Sequence, residues 1–320
     1  MINKLFNYNL ICVNLDIDLI LMKREYMKNQ DFNGTFPFEP RFKKINGFDM
    51  HYVDEGEGDE SLVCLHGMPT WSYLYRKFIE NLRQDFRIVV PDHMGFGKSD
   101  VPQDKQYTMA EHVDNLTKLM ISLDLQNITL IVQDWGGPIG LGFAVDHPDR
   151  IKRLVIMNTS VGVAREGTKP WYQNLEESGE YDAFFSNLKE TIPKLFKFSI
   201  YNQDAITDEM LAAYTAPFPT RESCLGALVF PRGIPIGFNH HNAQAMQHVR
   251  EKLDLFIDTP KIMIWGMQDP VFPPPVIKRW NKKLFPGIQV NKLKNASHFL
   301  QEDAPREIIS LIRTFINNNP

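Results

Sequence analysis

Two carboxylates and one imidazole follow apolar runs of the sequence, where a protein can present them for nucleophilic catalysis. Asp134 stands in Gln133-Asp134-Trp135-Gly136-Gly137, between an apolar run and a helical pattern. A sharp strand-to-helix turn of this kind presents the side chain at its tip for attack on a substrate. Asp134 is therefore our candidate nucleophile, and its alternative role is to cap the helix that follows.

Asp269 and His298 come later in the chain, each directly after a predicted strand. The three residues occur in the chain order nucleophile, acid, histidine. Asp269 would orient His298 and stabilise its cation while His298 acts as the base. Segment 157–162, after an earlier strand, contains no carboxylate and offers no competing acid. Alternatively, Asp269 occupies a surface turn and His298 is an ordinary loop histidine. The joint presence of Asp134, Asp269 and His298 favours the catalytic interpretation.

Segment 64–69, of sequence CLHGMP, also lies where a predicted strand ends. A turn that contains glycine can direct a backbone N–H group at an oxyanion that forms during acyl transfer. We expect the backbone amides of Met68 and Trp135 to form this oxyanion hole. His66 is expected to be structural, with its ring hydrogen-bonded to the backbone.

Two further motifs do not indicate a bound metal or phosphate. His240-His241 lacks the spaced carboxylates or cysteines that would complete a metal shell, which favours a solvated loop. The pair Gly95 and Gly97 lacks the G-x-x-x-x-G-K spacing of a phosphate-binding loop. We therefore predict no metal and no cofactor.

Short apolar runs without polar alternation predict parallel strands that are buried on both faces. Their alternation with helical patterns predicts an α/β fold. The predicted strands cover 62–65, 88–90, 128–132, 154–157, 262–265 and 288–293, and Asn46-Gly47 within 42–54 predicts a hairpin. Helical patterns cover 72–83, 108–124, 137–147, 275–284 and 305–317, the second of which begins with a capping box of Thr108 and Glu111.

The strand–helix alternation stops between about residues 160 and 236, where helical patterns and six prolines occur without a convincing strand. We interpret 160–236 as a helical cap and assign 36–159 and 237–320 to the core. We predict that residues 1–35 form an unassigned, poorly ordered head. Its apolar run at 5–22 contains five asparagine or aspartate residues, which disfavours a membrane span.

The composition is that of an ordinary globular protein, with 43% apolar and 23% charged residues in a chain of 320 residues. Its 35 basic and 39 acidic residues give a net charge of −4 and no basic excess for binding nucleic acid. Three widely separated cysteines suit a reducing compartment. We therefore predict a cytoplasmic protein that binds neither nucleic acid nor a membrane.

Taken together, these segments resemble the haloalkane dehalogenases of the α/β-hydrolase superfamily. The resemblance covers about residues 36–315, and the elbow sequence VQDWGGPIGL at 132–141 is its most specific part. The other matching segments are HGMPTWSYLYR at 66–76, PDHMGFGKSD at 91–100, YTAPFP at 214–219, WGMQDPVF at 265–272 and ASHFLQED at 296–303. The resemblance implies an α/β-hydrolase fold: a mostly parallel eight-stranded sheet flanked by helices, with a helical cap inserted after the sixth strand.

The chemistry of that family fits these residue types. Ionised Asp134 would displace halide from a small haloalkane to form an alkyl ester, and His298 would activate the water that hydrolyses the ester. The Trp135 indole N–H, a neutral donor, would hydrogen-bond the departing halide. We expect a small apolar substrate, water as the second substrate, and a monomeric protein. The resemblance places the pocket walls at Phe184, Phe230, Pro231, Val271 and Phe272.

The sequence departs from this family at the second donor that stabilises the halide. Family members use an asparagine after His-Gly, where this chain has Met68, or a tryptophan on a cap helix. The candidates here are Trp171, which comes earlier than expected, and Asn187. If neither residue supplies the second donor to the halide, halide is not the leaving group.

Two other kinds of function remain open. A related enzyme with the same nucleophile would open an epoxide or a β-lactone, and epoxide opening needs acids that protonate the ring oxygen. The candidate acids are Tyr172, Tyr181, Tyr201 and Tyr214. The other possibility is a catalytically inactive hydrolase scaffold that binds a ligand, which the complete set of Asp134, Asp269 and His298 disfavours.

Overall fold

The computed structural model of the protein describes residues 27–320, and its centre is one eight-stranded sheet. The strands are β1 (Arg41–Ile45), β2 (Phe48–Glu55), β3 (Ser61–Leu65), β4 (Arg87–Pro91), β5 (Ile128–Gln133), β6 (Ile151–Met157), β7 (Lys261–Gly266) and β8 (Gln289–Leu293). They lie in the order β1-β2-β4-β3-β5-β6-β7-β8. The β1–β2 and β2–β4 pairs are antiparallel and the other pairs are parallel. The predicted α/β fold with a mostly parallel sheet is confirmed.

Each predicted apolar run forms one of the strands β3 to β8. β3 and β5, at the centre of the sheet, are buried along their whole length, which explains why their sequences do not alternate with polar residues. The predicted hairpin joins β1 to β2 through Asn46 and Gly47. Their φ angles of 48° and 90° are both positive, a backbone conformation that Asn-Gly adopts readily in a tight hairpin turn.

Helices flank the sheet and connect its parallel strands. They are α1 (Arg76–Leu82), α2 (Met109–Ser122), α3 (Gly136–Asp146), α4 (Gln173–Ser178), α5 (Tyr181–Phe185), α6 (Leu188–Ser199), α7 (Asp208–Thr215), α8 (Leu225–Val229), α9 (Ala243–Glu251), α10 (Pro274–Arg279), α11 (Leu300–Asp303) and α12 (Pro305–Asn317). α3 packs against both α2 and α9, whereas α1 packs against α12. The predicted capping box at the start of α2 is present, with reciprocal hydrogen bonds between Thr108 and Glu111.

The segment that we interpreted as a cap contains the helices α4 to α8 and follows β6. Its two ends lie side by side, because Ala164 and Ile236 form an isolated parallel β-bridge. The Ala164 N–H donates to the Pro235 carbonyl at 2.8 Å, and the Gly237 N–H donates to the Ala164 carbonyl at 2.9 Å. The insert therefore leaves the core and returns to it at adjacent positions. The boundaries 160–236 remain our proposal for this unit.

Residues 27–35 belong to the predicted head, yet they pack against the core. The Phe32 ring lies 5.4 Å from the Trp71 ring, and the Thr35 hydroxyl is 3.0 Å from the Tyr73 hydroxyl. Contacts with the core thus begin before the boundary predicted at residue 35. The apolar run at 5–22 lies outside the described residues. Along residues 27–320, the helices lack the length and hydropathy that crossing a membrane requires.

Candidate active site

Asp134 lies at the sharp turn between β5 and α3, as the sequence predicts. Its φ angle of 50° is unusual for a residue with a side chain, and such backbone strain is concentrated at functional sites. The turn brings Asp134 against the loop that follows β3. A Cβ atom built on Gly67 would lie 1.9 Å from Asp134 Oδ1, so only glycine allows the two loops to approach this closely.

Backbone amides hold the Asp134 carboxylate. The Met68 N–H donates to Asp134 Oδ1 at 2.9 Å, and the Trp135 backbone N–H also hydrogen-bonds the carboxylate. The structure therefore brings together the two amides predicted for an oxyanion hole at the predicted nucleophile. Their catalytic role remains a prediction.

His298 and Asp269 form a buried pair, each with 3% of its surface exposed. His298 Nδ1 lies 3.0 Å from Asp269 Oδ2. The other oxygen of Asp269 accepts hydrogen bonds from the backbone N–H groups of Val271 at 2.7 Å and Phe272 at 3.0 Å. An ionised Asp269 requires the hydrogen of a neutral imidazole to be on Nδ1, which leaves a lone pair on His298 Nε2.

Asn158 supports this pair, and the sequence analysis does not predict it as a residue of the site. Its side-chain amide donates to Asp269 Oδ2 at 2.7 Å, while its side-chain oxygen accepts from the Gly266 N–H at 2.8 Å. Its backbone carbonyl accepts from the Asp134 N–H at 3.0 Å. Segment 157–162 contains no carboxylate, but its amide side chain at Asn158 binds one. The place of Asn158 at the end of β6, between β5 and β7, is the signal that could have found it.

His298 approaches Asp134 without a hydrogen bond. His298 Nε2 is 3.7 Å from Asp134 Oδ2, beyond hydrogen-bond distance. The amide nitrogen of Gln133 lies 3.3 Å from the same Nε2 atom and 3.2 Å from the His298 carbonyl oxygen. The predicted base is therefore close to the predicted nucleophile without a hydrogen bond between them.

Burial and charge act in opposite directions on the three ionisable groups. Burial raises the pKa of Asp134, although His298 and the two amides oppose this shift. Burial alone would lower the pKa of His298, but the nearby carboxylates of Asp269 and Asp134 outweigh it and raise that pKa. Burial also works against ionisation of Asp269, yet His298 and the N–H donors lower its pKa. The lowered pKa favours the anionic form of Asp269, and the raised pKa of His298 favours its protonation.

Phe230 and Phe272 are the predicted pocket residues that contact the site. The Phe230 ring lies edge-on to the Trp135 ring at 5.0 Å, and the Phe272 ring stacks on His298 at 5.7 Å. The other predicted wall residues are placed less directly: Val271 binds Asp269 through its backbone, Phe184 packs on Phe185 at 5.1 Å, and Pro231 is buried at the start of a 3-10 turn. Their role in binding substrate remains a prediction.

The structure does not bring either candidate for the second halide donor to Trp135. The Trp171 side chain is 45% exposed, and its ring lies 5.9 Å from the Phe185 ring. Asn187 is exposed and precedes α6. The Trp135 ring instead lies against Phe230 and close to Gly233. Trp171 lies away from that ring because it packs on the aromatic residues of its own insert.

The remaining histidine motifs are structural in the part of the chain that the structure describes. His66 accepts a hydrogen bond from the His93 backbone N–H at 3.0 Å, and its Nδ1 lies 2.8 Å from the Gly67 carbonyl, as predicted for a structural residue. His240 Nε2 lies 2.9 Å from the Arg232 carbonyl. No group of three or more metal-ligating side chains is found in residues 27–320.

Comparisons with known proteins agree with this architecture. A family model of the alpha/beta hydrolase fold matches residues 60–305. A cis-3-alkyl-4-alkyloxetan-2-one decarboxylase from Shewanella oneidensis is 35% identical over 293 residues, which cover 88% of this chain and 89% of the relative. A haloalkane dehalogenase from Mycolicibacterium paratuberculosis is 34% identical over 290 residues, covering 87% of this chain and 92% of the relative.

A solved structure extends the comparison to three dimensions. The tetrameric structure of the haloalkane dehalogenase DpaA from Paraglaciecola agarilytica matches with a TM-score of 0.73 and 30% identity, over 87% of this chain and 92% of that chain. The chain therefore belongs to the α/β-hydrolase fold family, in the group that contains the haloalkane dehalogenases. Relatives in that group carry two different activity names, so the reaction itself must be argued from the site.

Proposed function

We propose that this protein converts small haloalkanes into an alcohol, a halide ion and a proton through an ester on Asp134. The observation that carries the proposal is the 3.7 Å separation between His298 Nε2 and an Asp134 carboxylate that backbone amides hold. A serine nucleophile must be hydrogen-bonded to its base to lose its proton. A carboxylate is ionised at neutral pH, so the base is available for a water molecule instead.

In the first step, an oxygen of ionised Asp134 attacks the carbon that bears the halogen. The new C–O bond forms as the carbon–halogen bond breaks, and the halide leaves with the bonding electrons. The Trp135 indole N–H can hydrogen-bond the departing halide, since it is a donor with no acceptor lone pair to repel an anion. The edge of Phe230 keeps the surroundings of that indole apolar.

In the second step, His298 Nε2 removes a proton from water, and the hydroxide adds to the Asp134 carboxyl carbon. The amides of Met68 and Trp135 stabilise the oxyanion. Collapse of this intermediate breaks the bond between the carboxyl carbon and the alkyl oxygen, and the alcohol takes the proton from His298. The regenerated Asp134 carboxyl group then releases its proton to solvent.

Halide release tests the proposal directly. The protein is incubated with 1-bromobutane and with 1,2-dibromoethane, and bromide and protons are measured together. We expect both products in equal amounts, and no release from the Asp134→Asn variant. Release by the wild type that does not exceed that of the variant would reject the proposal.

A second experiment detects the ester itself. Replacing His298 with Phe removes the base but leaves the nucleophile, so the first step should proceed and the second should stop. We expect the intact mass to rise by one butyl group and the modified peptide to contain Asp134. The lack of an adduct on a folded variant would contradict the ester mechanism.

A second candidate function is decarboxylation of a β-lactone. The observation that favours it is that Trp171 and Asn187 lie away from Trp135, which leaves a halide with one N–H donor. A relative at 35% identity is also named for this reaction. An oxetanone ring releases a carboxylate and forms no halide, so the missing donor would not matter.

The chemistry of this candidate differs from dehalogenation after the first bond is made. Asp134 would attack C4 of the ring, and the C4–O bond would break to give a carboxylate on the neighbouring carbon. Loss of CO2 would then form the C=C bond as the ester C–O bond breaks, which regenerates Asp134 without consuming water. A cis-3,4-dialkyl oxetan-2-one assayed for alkene and CO2 tests this route. The His298→Phe variant should retain this decarboxylation, but it should lose the ability to turn over haloalkanes more than once.

The structure gives little support to epoxide opening. The Tyr181 hydroxyl donates to the Leu228 carbonyl at 2.8 Å, and the Tyr214 hydroxyl donates to Glu302 at 2.7 Å, so both are committed to structural hydrogen bonds. Tyr201 is 49% exposed. The complete set of Asp134, Asp269 and His298 also disfavours an inactive binding scaffold, because a receptor does not need the acid.

We further propose that the protein acts as a cytoplasmic monomer without a metal or cofactor. Cys64 and Cys224 are buried thiols without a disulfide, as a reducing compartment allows. The related DpaA structure is described as tetrameric, so the monomer needs its own test. Light scattering at assay concentration should give the mass of one chain, and the mass of four chains would contradict the proposal.

A further inference from the structure

Gln133, the residue before Asp134, is a buried amide that touches the proposed base and has no role in the steps above. Its side chain has no exposed surface. Its amide nitrogen lies 3.2 Å from the His298 carbonyl oxygen and 3.3 Å from His298 Nε2. Its amide oxygen has no hydrogen-bond partner among the described residues. A buried polar atom without a partner is uncommon in folded proteins and calls for an explanation.

The His298 carbonyl fixes the orientation of the amide. A carbonyl oxygen can only accept, so the Gln133 atom that faces it must be the nitrogen. The two amide hydrogens can then reach the carbonyl oxygen and the lone pair on Nε2, since Nδ1 uses its hydrogen on Asp269. This contact stabilises neutral His298, because a protonated Nε2 would direct its own hydrogen at the amide N–H.

The other polar neighbours of the imidazole act in the opposite direction. Asp269, after β7, and Asp134, after β5, are the charged groups that face His298, and both favour the imidazolium. Phe272 and Phe299 cover the ring without adding charge. Gln133 is thus the neighbour that favours the neutral form of His298.

The unpartnered oxygen belongs to the same amide group that contacts His298 Nε2. Standard bond lengths place the oxygen of an amide about 2.2 Å from its nitrogen. A water molecule that takes the place of the amide N–H at Nε2 can therefore turn its other hydrogen toward the Gln133 oxygen. Met68 binds the Asp134 carboxylate through its backbone N–H. Its thioether side chain has no donor and is only a weak acceptor for such a water molecule.

We propose that Gln133 acts in ester hydrolysis in two stages: its N–H group holds His298 in the neutral form until water binds, and when water replaces that N–H group at the single Nε2 lone pair, the Gln133 oxygen accepts the other hydrogen of the water. When His298 removes the hydrogen that points at Nε2, the hydroxide remains hydrogen-bonded to the Gln133 oxygen as it adds to the Asp134 carboxyl carbon. Gln133 itself gains and loses no proton. The inference rests on the proposed function, because it requires an ester that water cleaves.

The first test separates the two steps with the Gln133→Met variant, which keeps the side-chain length but lacks the amide. With 1-bromobutane, we expect the first-turnover bromide burst to stay within about twofold of wild type. Steady-state release should fall about tenfold or more, and butylated Asp134 should accumulate. The proposal would be overturned if the bromide burst and the steady-state bromide release fell together. It would also be overturned if steady-state release became slow without accumulation of butylated Asp134.

The matched control is Gln301→Met, the same change at another fully buried glutamine. We expect its burst and its steady-state release to stay close to those of the wild type. Accumulation of the adduct in this variant as well would show that any lost buried amide slows hydrolysis, which would also overturn the proposal.

The second test does not depend on turnover. The His298 imidazole is titrated by NMR in wild type, Gln133→Met and Gln133→Glu, with thermal melting as a check that each variant is folded. We expect the pKa of His298 to rise in the Met variant and to rise further beside the Glu carboxylate. An unchanged pKa in both variants would overturn the proposal. If the wild type releases no halide from any haloalkane, the proposed function fails, and this titration still decides whether Gln133 favours neutral His298.

Discussion

Glu302 binds Arg76 through both of its carboxylate oxygens and joins α11 to α1. The two side chains are 1% and 11% exposed, so this ion pair is removed from water. Lys77 also donates to Glu302 at 3.0 Å, and the Tyr214 hydroxyl donates from helix α7 of the insert at 2.7 Å. One carboxylate near the proposed base therefore connects three parts of the chain.

Replacing Glu302 with Gln should lower the free energy of unfolding by about 3 kcal/mol or more, because Arg76 would remain charged and buried without its partner. Urea denaturation at neutral pH measures the change. The matched control is Glu176→Gln, which breaks the ion pair between Glu176 and Arg232. The Glu176 side chain is 37% exposed and the Arg232 side chain is 45% exposed. An exposed pair should contribute less than about 1 kcal/mol. Equal losses in the two variants would contradict this account.

The raised pKa of His298 predicts that the two steps respond differently to pH. Hydrolysis takes place on the ester, where Asp134 carries no charge, and it needs neutral His298, whose pKa the neighbouring Asp269 raises. Steady-state halide release should therefore fall as the pH drops through the pKa of His298. Alkylation needs only ionised Asp134, so the first-turnover burst should persist at those pH values. Stopped-flow halide measurements across the pH range resolve the two phases. A burst that declines together with the steady state would refute the assignment.

Replacing Trp135 with Phe should slow the first step, because the halide would lose a hydrogen bond from the indole while the backbone amide stays in place. A hydrogen bond to a charged group contributes about 1.5 to 3 kcal/mol, which corresponds to a burst slowed about 10- to 150-fold. The control is Trp171→Phe, at an exposed position, and we expect little effect. A comparable loss in the control would identify Trp171 as the second halide donor.

Replacing Asn158 with Ala should reduce steady-state turnover about tenfold, because Asp269 would lose one of the hydrogen bonds that keep it oriented toward His298. The deficit should appear in hydrolysis, where His298 acts, and the burst should change little. Asn291→Ala is a suitable control, since Asn291 donates to the Met263 carbonyl in the neighbouring strand. An equal effect on both phases would indicate general damage to the sheet.

The local signals in the sequence were sufficient for the strands and for the turn at Asp134. A buried run and an Asn-Gly hairpin turn act over a few residues, so their sequences specify them directly. The amides at Met68 and Trp135 could also be predicted, because each follows a predicted strand and the ends of parallel strands meet at one edge of the sheet.

The contacts of Asn158, Gln133 and Trp171 could not be predicted in the same way. Asn158 binds Asp269 across 111 positions of sequence, and Gln133 meets His298 across 165. These pairs depend on the order of strands in the sheet, which no single segment encodes. The exposed position of Trp171 similarly depends on how the insert packs around Phe185.

The bridge between Ala164 and Ile236 has an evolutionary consequence. Because the two ends of the insert meet, the segment between them can change in length and sequence while every strand stays in place. Asp134, Asp269 and His298 all lie outside it, on loops that follow strands. If the insert lines the substrate pocket, as the proposed function requires, its sequence can change the fit of a substrate while the positions of Asp134, Asp269 and His298 stay the same.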